Sequence, residues 1–149
     1  MTRPPASALL LGLAGLLPFL WGAATVLWPG LGLWSAETLG GRFAGPYLQL
    51  FYGTIILAFM SGVLWGFATR AEGPRAAAGY ALSVIPALWA FFTTGGGPTS
   101  AATSLAVGFL ALLLLDAQFA RWGLAPAWWM PLRTGLTAVV VLCLLPVIL

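Results

Sequence analysis

The sequence predicts an all-α integral membrane protein, a bundle of five transmembrane helices that forms a single domain of 149 residues. Hydrophobic residues make up 61% of the chain and charged residues only 6%, whereas a soluble domain carries about 25% charged residues. Five apolar runs each reach the length of about 17–25 helical residues that crosses a bilayer core. Short segments rich in glycine, proline and arginine separate these runs.

The first predicted span covers residues 6–28 and the second covers residues 46–69. A single arginine precedes the first run, as in a signal peptide, but a signal core has only about 7–15 apolar residues, so we expect a retained helix. Pro18 lies inside this span and should bend it. Residues 29–45 are expected to form the longest loop, in which residues 35–38 could seed a short helix at the membrane interface.

The remaining spans cover residues 76–92, 101–119 and 131–149, and Pro86 interrupts the first of these three. Three consecutive glycines follow residue 94, but no P-loop lysine accompanies them and no strand precedes them, so they indicate a turn. Arginine flanks predict the orientation, because cytoplasmic loops carry the excess of positive charge. Arg42 lies alone on one side, and the other side holds Arg3, Arg70, Arg75, Arg121 and Arg133. The N-terminus is therefore predicted in the cytoplasm and the C-terminus on the far side.

The composition excludes several kinds of chemistry. Since the chain has no histidine and no lysine, it has neither a histidine base nor a Schiff-base lysine. Its one cysteine, Cys143, has no second cysteine with which to form an internal disulfide, and one thiolate alone cannot make a metal site. The net charge of +3 comes from scattered arginines, a pattern that fits membrane orientation better than nucleic-acid binding. We expect no catalytic residues, no metal, no cofactor and no nucleic-acid partner.

Small residues recur on one side of the second span. Ala58, Gly62 and Gly66 are spaced by four, so they share a helix face, and Gly62 and Gly66 form a GxxxG element that lets another helix approach closely. We interpret this face as a helix-packing surface, either inside the bundle or toward another subunit.

Tyr52, Ser61 and Trp65 lie beside that face and are able to stack or form hydrogen bonds in an apolar setting. They could line a groove for a lipid or a quinone. Trp21 and Trp89 also lie inside spans. These internal tryptophans have two interpretations: a stacking platform for a flat ligand such as a quinone or porphyrin, or packing and anchoring of the helices. Packing and anchoring is the more common role of such tryptophans.

Asp116 is the only acidic residue inside a span, and an intramembrane carboxylate is costly unless it is paired or reaches water. It lies about one turn from the cytoplasmic end of the fourth span, and Arg133 begins the fifth span at a similar depth. We therefore predict an intramembrane ion pair that fixes the register of two helices. A protonatable group in a transport path is the alternative, but such a path usually shows several acids or histidines.

Three segments resemble the DUF3429 family of small multispanning membrane proteins: LLGLAGLLPFL at residues 10–20, YGTIILAFMSGVLWG at 52–66 and LLLDAQFARWGLAPAWWMPLRTGLTAVVV at 113–141. Asp116, Trp128, Leu132, Arg133 and Thr137 fit the family pattern. In the central helix that pattern often reads Gly-Gly-Val-His-Trp-Gly, where this chain has serine for the first glycine and leucine for the histidine. The resemblance implies a membrane fold in the bacterial inner membrane and supplies no reaction.

Three functions remain open. The first is a non-enzymatic accessory subunit or assembly module that packs against other membrane proteins or against a second copy, within the lipid bilayer. The second is a binder of a hydrophobic small molecule, such as a quinone, lipid or tetrapyrrole. The third is a small transporter, which Asp116 alone supports and for which no inverted repeat is evident.

Overall fold

The structure, a computed structural model, describes residues 3–149, and this part of the chain contains helices and no strands. This part of the chain has eight α-helices and one 3-10 turn, Gly41–Phe43. The α-helices are α1 Ala6–Ala14, α2 Leu17–Leu27, α3 Pro29–Thr38, α4 Tyr47–Ala68, α5 Gly73–Ser83, α6 Ile85–Thr93, α7 Pro98–Arg121 and α8 Trp129–Ile148. The predicted all-α class is therefore confirmed.

Five helical stretches are long and apolar enough to cross a membrane, as predicted. α4, α7 and α8 each form one span, whereas α1 with α2 and α5 with α6 form the other two. The third stretch runs from Gly73 to Thr93 and begins earlier than expected. Its helix begins early because Pro74 lies in the first turn, where the missing N–H costs nothing.

Both composite spans break at a proline. α1 ends at Ala14 and α2 begins at Leu17 with Pro18 as its second residue; α5 and α6 are separated in the same way just before Pro86. A proline in a helix removes one hydrogen bond and its ring clashes with a carbonyl of the preceding turn. At the second break, the hydroxyl oxygen of Ser61 on α4 accepts a hydrogen bond from the backbone N–H of Ala87 at 2.8 Å. Ser61 thereby replaces part of the helical ladder that the break interrupts.

The segment predicted as the longest loop is mostly helical, which corrects the prediction for residues 29–45. α3 begins directly at Pro29, whose fixed φ suits the first helical position. Ser35 on α3 is fully buried; its hydroxyl donates to the carbonyl of Phe43 at 2.8 Å and accepts from the Trp21 indole N–H at 3.1 Å. These bonds hold α3 against the middle of α2 and against the 3-10 turn, so tertiary contacts compensate for the poor helix propensity of its two glycines.

The core lies around α4, which packs on α2, α5, α6 and α7, while α7 pairs along its length with α8. Phe19 and Phe109 meet edge to face in this core, with ring centroids 5.9 Å apart. Gly108 on α7 lets α6 approach, because a Cβ atom there would lie 2.8 Å from Cδ1 of Trp89. The Trp89 indole is anchored at this place, since its N–H donates to the carbonyl of Ser104 at 2.7 Å.

We expect Gly108→Ala to lower the free energy of unfolding by about 1–3 kcal/mol, the usual range for overpacking. The anchored Trp89 ring would have to move to admit the methyl group. Gly135→Ala is the matched control, because Gly135 is also helical and has open space where its Cβ would be. Denaturation of both purified variants in mixed micelles checks this, and equal stabilities would contradict the close packing of α6 on α7.

Candidate functional site

A buried polar trio joins α7 to α8. Arg133 Nε donates to Oδ2 of Asp116 at 3.1 Å, and the Trp129 indole N–H donates to Oδ1 at 2.9 Å. Asp116 is completely buried and Arg133 is 5% exposed. Asp116 lies five residues before the end of α7 and Arg133 lies in the second turn of α8, so the hairpin brings them to one depth. The structure thus places the two residues of the predicted ion pair in contact.

The pair is electrically balanced in an apolar environment. It is the one salt bridge among residues 3–149, and the Arg133 guanidinium also lies 6.0 Å from the centroid of the Trp129 ring. Attraction between buried charges offsets their desolvation only when hydrogen bonds satisfy their remaining polar atoms. Both carboxylate oxygens of Asp116 are satisfied, whereas Nη2 of Arg133 is not. This geometry favours the structural interpretation of Asp116 over a proton path.

Beside the trio lies a cavity of about 470 Å³. Its walls come mainly from α1, α4 and α8, and Arg133 and Thr137 supply polar groups to an otherwise largely apolar lining. The Nη2 atom of Arg133 and the hydroxyl oxygen of Thr137 are buried and have no hydrogen-bond partner among the described residues. Buried polar atoms of this kind are uncommon in folded proteins. Two residues of the cavity wall therefore carry polar atoms that protein atoms leave unsatisfied, and both atoms are shielded from the cavity itself.

The predicted groove of Tyr52, Ser61 and Trp65 is not formed. Tyr52 lines the cavity, Ser61 binds the backbone of α6, and Trp65 is half exposed and packs on Tyr80 with ring centroids 4.6 Å apart. The reason is helical geometry: Tyr52 and Ser61 are nine residues apart, which places them about 180° from each other around α4.

Trp21, Trp65 and Trp89 do not form a common stacking platform either. The Trp21 indole N–H donates to Ser35 and to the carbonyl of Phe43, and the Trp89 indole N–H donates to Ser104. These contacts anchor separate pairs of helices. The packing and anchoring role fits the geometry of each ring.

Ala58, Gly62 and Gly66 lie on the outer face of α4, away from the core. All three are exposed, and a Cβ atom on either glycine would meet nothing within 4 Å. The alternative that this face packs inside the bundle is therefore wrong, and packing toward another subunit stays a prediction. The same geometry places Ile55 on this outer face, where it is 63% exposed.

Three contributors to the polar interior carried no clear signal in the sequence. Gln49 on α4 is fully buried, and its amide donates to the carbonyl of Cys143 on α8 at 2.9 Å. Trp129 reads as part of an interfacial aromatic belt, yet it binds Asp116. Thr137 fits the family pattern but has no visible role until its place in the cavity is known. Their spacing in the sequence does not reveal these partners, because the partners lie on other helices.

Within residues 3–149, no group of three or more His, Cys, Asp or Glu side chains is arranged to hold a metal ion. The polar trio contains a single carboxylate, whose two oxygens are both engaged. What the arrangement offers chemically is two unpaired hydrogen-bonding groups, on Arg133 and Thr137, just behind the wall of a largely apolar cavity.

A family model described as "Protein of unknown function (DUF3429)" matches residues 4–149. Transmembrane protein 69 from Xenopus tropicalis is 35% identical over 144 residues, which cover 94% of this chain and 53% of that protein. The chain thus spans about half the length of this curated relative. No solved structure matches the chain.

We expect Asp116→Ala and Arg133→Ala each to destabilise the protein, by about 3–5 kcal/mol for a fully desolvated pair, because each leaves the other charge uncompensated. The double variant should lose less than the sum, since it leaves neither charge unpaired. A double-mutant cycle on the free energy of unfolding in mixed micelles measures the coupling. Strictly additive losses would mean that the two side chains do not interact.

Proposed function

The chain belongs to the DUF3429 family, and we propose that it is a non-enzymatic module of the bacterial inner membrane that packs against another membrane protein. The observation that carries this proposal is the outer face of α4. There Ala58, Gly62 and Gly66 leave the backbone open to an approaching helix. As an accessory subunit or assembly module, the protein would act through this contact.

Other helical glycines in this chain are already used for close packing. A Cβ atom would lie 2.5 Å from the side chain of Gln49 at Gly22, 2.9 Å from Ala68 at Gly79, and 2.8 Å from Trp89 at Gly108. Gly62 and Gly66 form the same kind of surface but contact no other helix within the described chain. Small residues let two helix backbones approach, and the resulting van der Waals contact drives association in lipid.

The occupant that fits this face is a transmembrane helix with small residues of its own. Exposed Phe59 and Trp65 border the glycines and would flank such a helix. A water-soluble partner is disfavoured, because Gly62 lies more than one turn inside the end of α4 and therefore within the apolar part of the bilayer. We propose a helix of a different membrane protein, and self-association is one outcome of the test below.

We also propose an orientation with a cytoplasmic N-terminus and a periplasmic C-terminus. Arginines gather around the ends of α4 and α7 and the start of α5. Arg70 Nη1 donates to the carbonyl of Leu124 at 3.0 Å, and the Arg75 guanidinium lies 5.7 Å from the ring centroid of Trp122. This cluster supports the excess of positive charge on one side, which normally faces the cytoplasm.

A second candidate function, binding of a hydrophobic small molecule, is favoured by the cavity beside Arg133. The transporter hypothesis gains no comparable support, since Asp116 is held by two donors.

We expect Gly62→Leu and Gly66→Leu to abolish or strongly reduce co-purification of partner proteins in mild detergent. Their leucine side chains would hold the two backbones apart, while the thermal stability of the protein itself should stay near the wild-type value because the space around both glycines is open. Affinity purification after in-membrane crosslinking, followed by mass spectrometry, measures the partner yield.

Gly135→Leu is the matched control, because it makes the same change at an exposed helical glycine with open surroundings on α8. Its partner yield should equal that of the wild type. Unchanged partner yield in both α4 variants would refute the proposal. If the captured protein is a second copy of this chain, the face serves self-association and not contact with a different membrane protein.

Orientation has its own test. An alkaline phosphatase fused after Leu149 should be active, because the enzyme folds in the periplasm, and a green fluorescent protein fused at the same place should remain dark. A bright fluorescent fusion would reverse the proposed orientation.

A further inference from the structure

We propose that the cavity bounded by α1, α4 and α8 binds one neutral lipophile through a carbonyl oxygen, and that this ligand is a flat ring such as the headgroup of an isoprenoid quinone. This site differs from the predicted groove of Tyr52, Ser61 and Trp65, from which it keeps only Tyr52. The inference does not use the packing face on α4, because Gly62 and Gly66 do not line the cavity; Phe59 lies at the border between the two surfaces.

The hydrogen-bonding end of the cavity is defined by two residues one turn apart on α8. Arg133 and Thr137 are 5% and 1% exposed, and both line the cavity. Nη2 of Arg133 and the hydroxyl of Thr137 have no partner within residues 3–149. Neither atom is exposed at the cavity surface, so a ligand oxygen would reach them only after these side chains rotate toward the cavity, where the guanidinium and the hydroxyl could each donate to it. That contact would satisfy polar atoms that the protein alone leaves unpaired.

Charge decides which oxygen suits the site. Arg133 is already neutralised by Asp116 at 3.1 Å, so the pair has no net charge to offer an anion. A carboxylate or phosphate next to Arg133 would also lie near the Asp116 carboxylate, and repulsion in this medium of low dielectric constant would be strong. A neutral carbonyl gains the hydrogen bonds without that repulsion. The propionates of a tetrapyrrole are disfavoured for the same reason.

The walls favour a flat ring over an acyl chain. Seven of the 21 lining residues are aromatic, compared with 13% of the whole chain. Two aromatic pairs contribute to the walls: Phe67 meets Trp129 edge to face with ring centroids 5.2 Å apart, and Tyr52 meets Phe19 in the same way at 5.3 Å. Aromatic side chains recognise another ring by offset stacking or edge-to-face contact. The volume of about 470 Å³ falls in the range of about 300–1,000 Å³ typical of small-molecule sites.

A route for a lipid-soluble ligand is visible at the rim. Leu11 on α1 and Phe59 on α4 line the cavity and are 73% and 65% exposed, so the cavity reaches the lipid-facing surface. The polar end lies near the end of α7 and the start of α8, close to the depth of the membrane interface. A ring would therefore sit at the polar end, with its isoprenoid tail directed to the lipid.

The test uses the full chain in nanodiscs of ether-linked phospholipid, titrated with decyl-ubiquinone. Trp128 and Trp129 line the cavity, so ring binding should quench tryptophan fluorescence in a saturable way. The reduced quinol has hydroxyl groups in place of carbonyl acceptors and should bind more weakly. Absence of saturable quenching, or equal affinity for quinone and quinol, would overturn the proposal.

Thr137→Val is the decisive variant. It removes an unpaired hydroxyl with little change of shape, so the protein should be at least as stable as the wild type, yet the Kd for the quinone should rise about tenfold, the effect of one hydrogen bond. Arg133→Lys retains a positive charge for Asp116 but removes Nη2, and should raise the Kd by about tenfold or more. Thr134→Val, one turn earlier on the exposed side of α8, should leave the Kd unchanged.

A final comparison tests whether the bound carbonyl oxygen belongs to a quinone ring or to a phospholipid ester. The quinone Kd is measured again in nanodiscs of ester-linked phospholipid with the same headgroups. An unchanged Kd supports the quinone, whereas a large loss of affinity would mean that an ester carbonyl occupies the site and that the ring assignment is wrong. An unchanged Kd in Thr137→Val would overturn the site itself.

Discussion

The hydrogen bonds from Arg133 and Trp129 to Asp116 set how α7 and α8 lie against each other. A carboxylate in the acyl region is stable only where donors reach it, so the two helices are held at the depth at which both oxygens are bound. The same register brings Thr137, one turn after Arg133, to the cavity. The shape of that space thus depends on the ion pair, although Asp116 does not itself line it.

Elsewhere the bundle links its helices by side-chain bonds to main-chain groups. Gln49 reaches the carbonyl of Cys143 and Trp89 that of Ser104. Outside the spans, Arg70 joins two turns by its bond to the carbonyl of Leu124. Because lipid offers no hydrogen-bond partners, polar side chains within a span must find them inside the protein. Helix carbonyls have a second lone pair, so they accept these bonds without giving up the helical ladder. A chain with few polar residues can therefore connect distant segments.

Local physics made part of this structure predictable. Hydropathy locates five spans, proline chemistry locates the breaks near Pro18 and Pro86, and depth alone suggested that Asp116 should face Arg133. Which side of α4 packs into the core was not predictable from the sequence. A helix that is apolar on all sides has no polar face to show which side is buried. α3 was missed because its glycines resemble a loop, and the bonds of Ser35 that hold it are long-range. Cavity residues were missed for a related reason: they come from helices distant in the chain.

One helix stands apart from the core. No residue of α1 is buried, the cluster of buried apolar residues begins at Leu16, and the helix break at Gly15 separates the two. α1 is therefore held chiefly by lipid and by a light contact with α8, where Gly12 faces Leu136. A thinner or thicker bilayer can change the tilt of α1 about this break without disturbing the core. Hydrophobic mismatch would then be absorbed at one wall of the cavity, so membrane thickness would tune the width of that space.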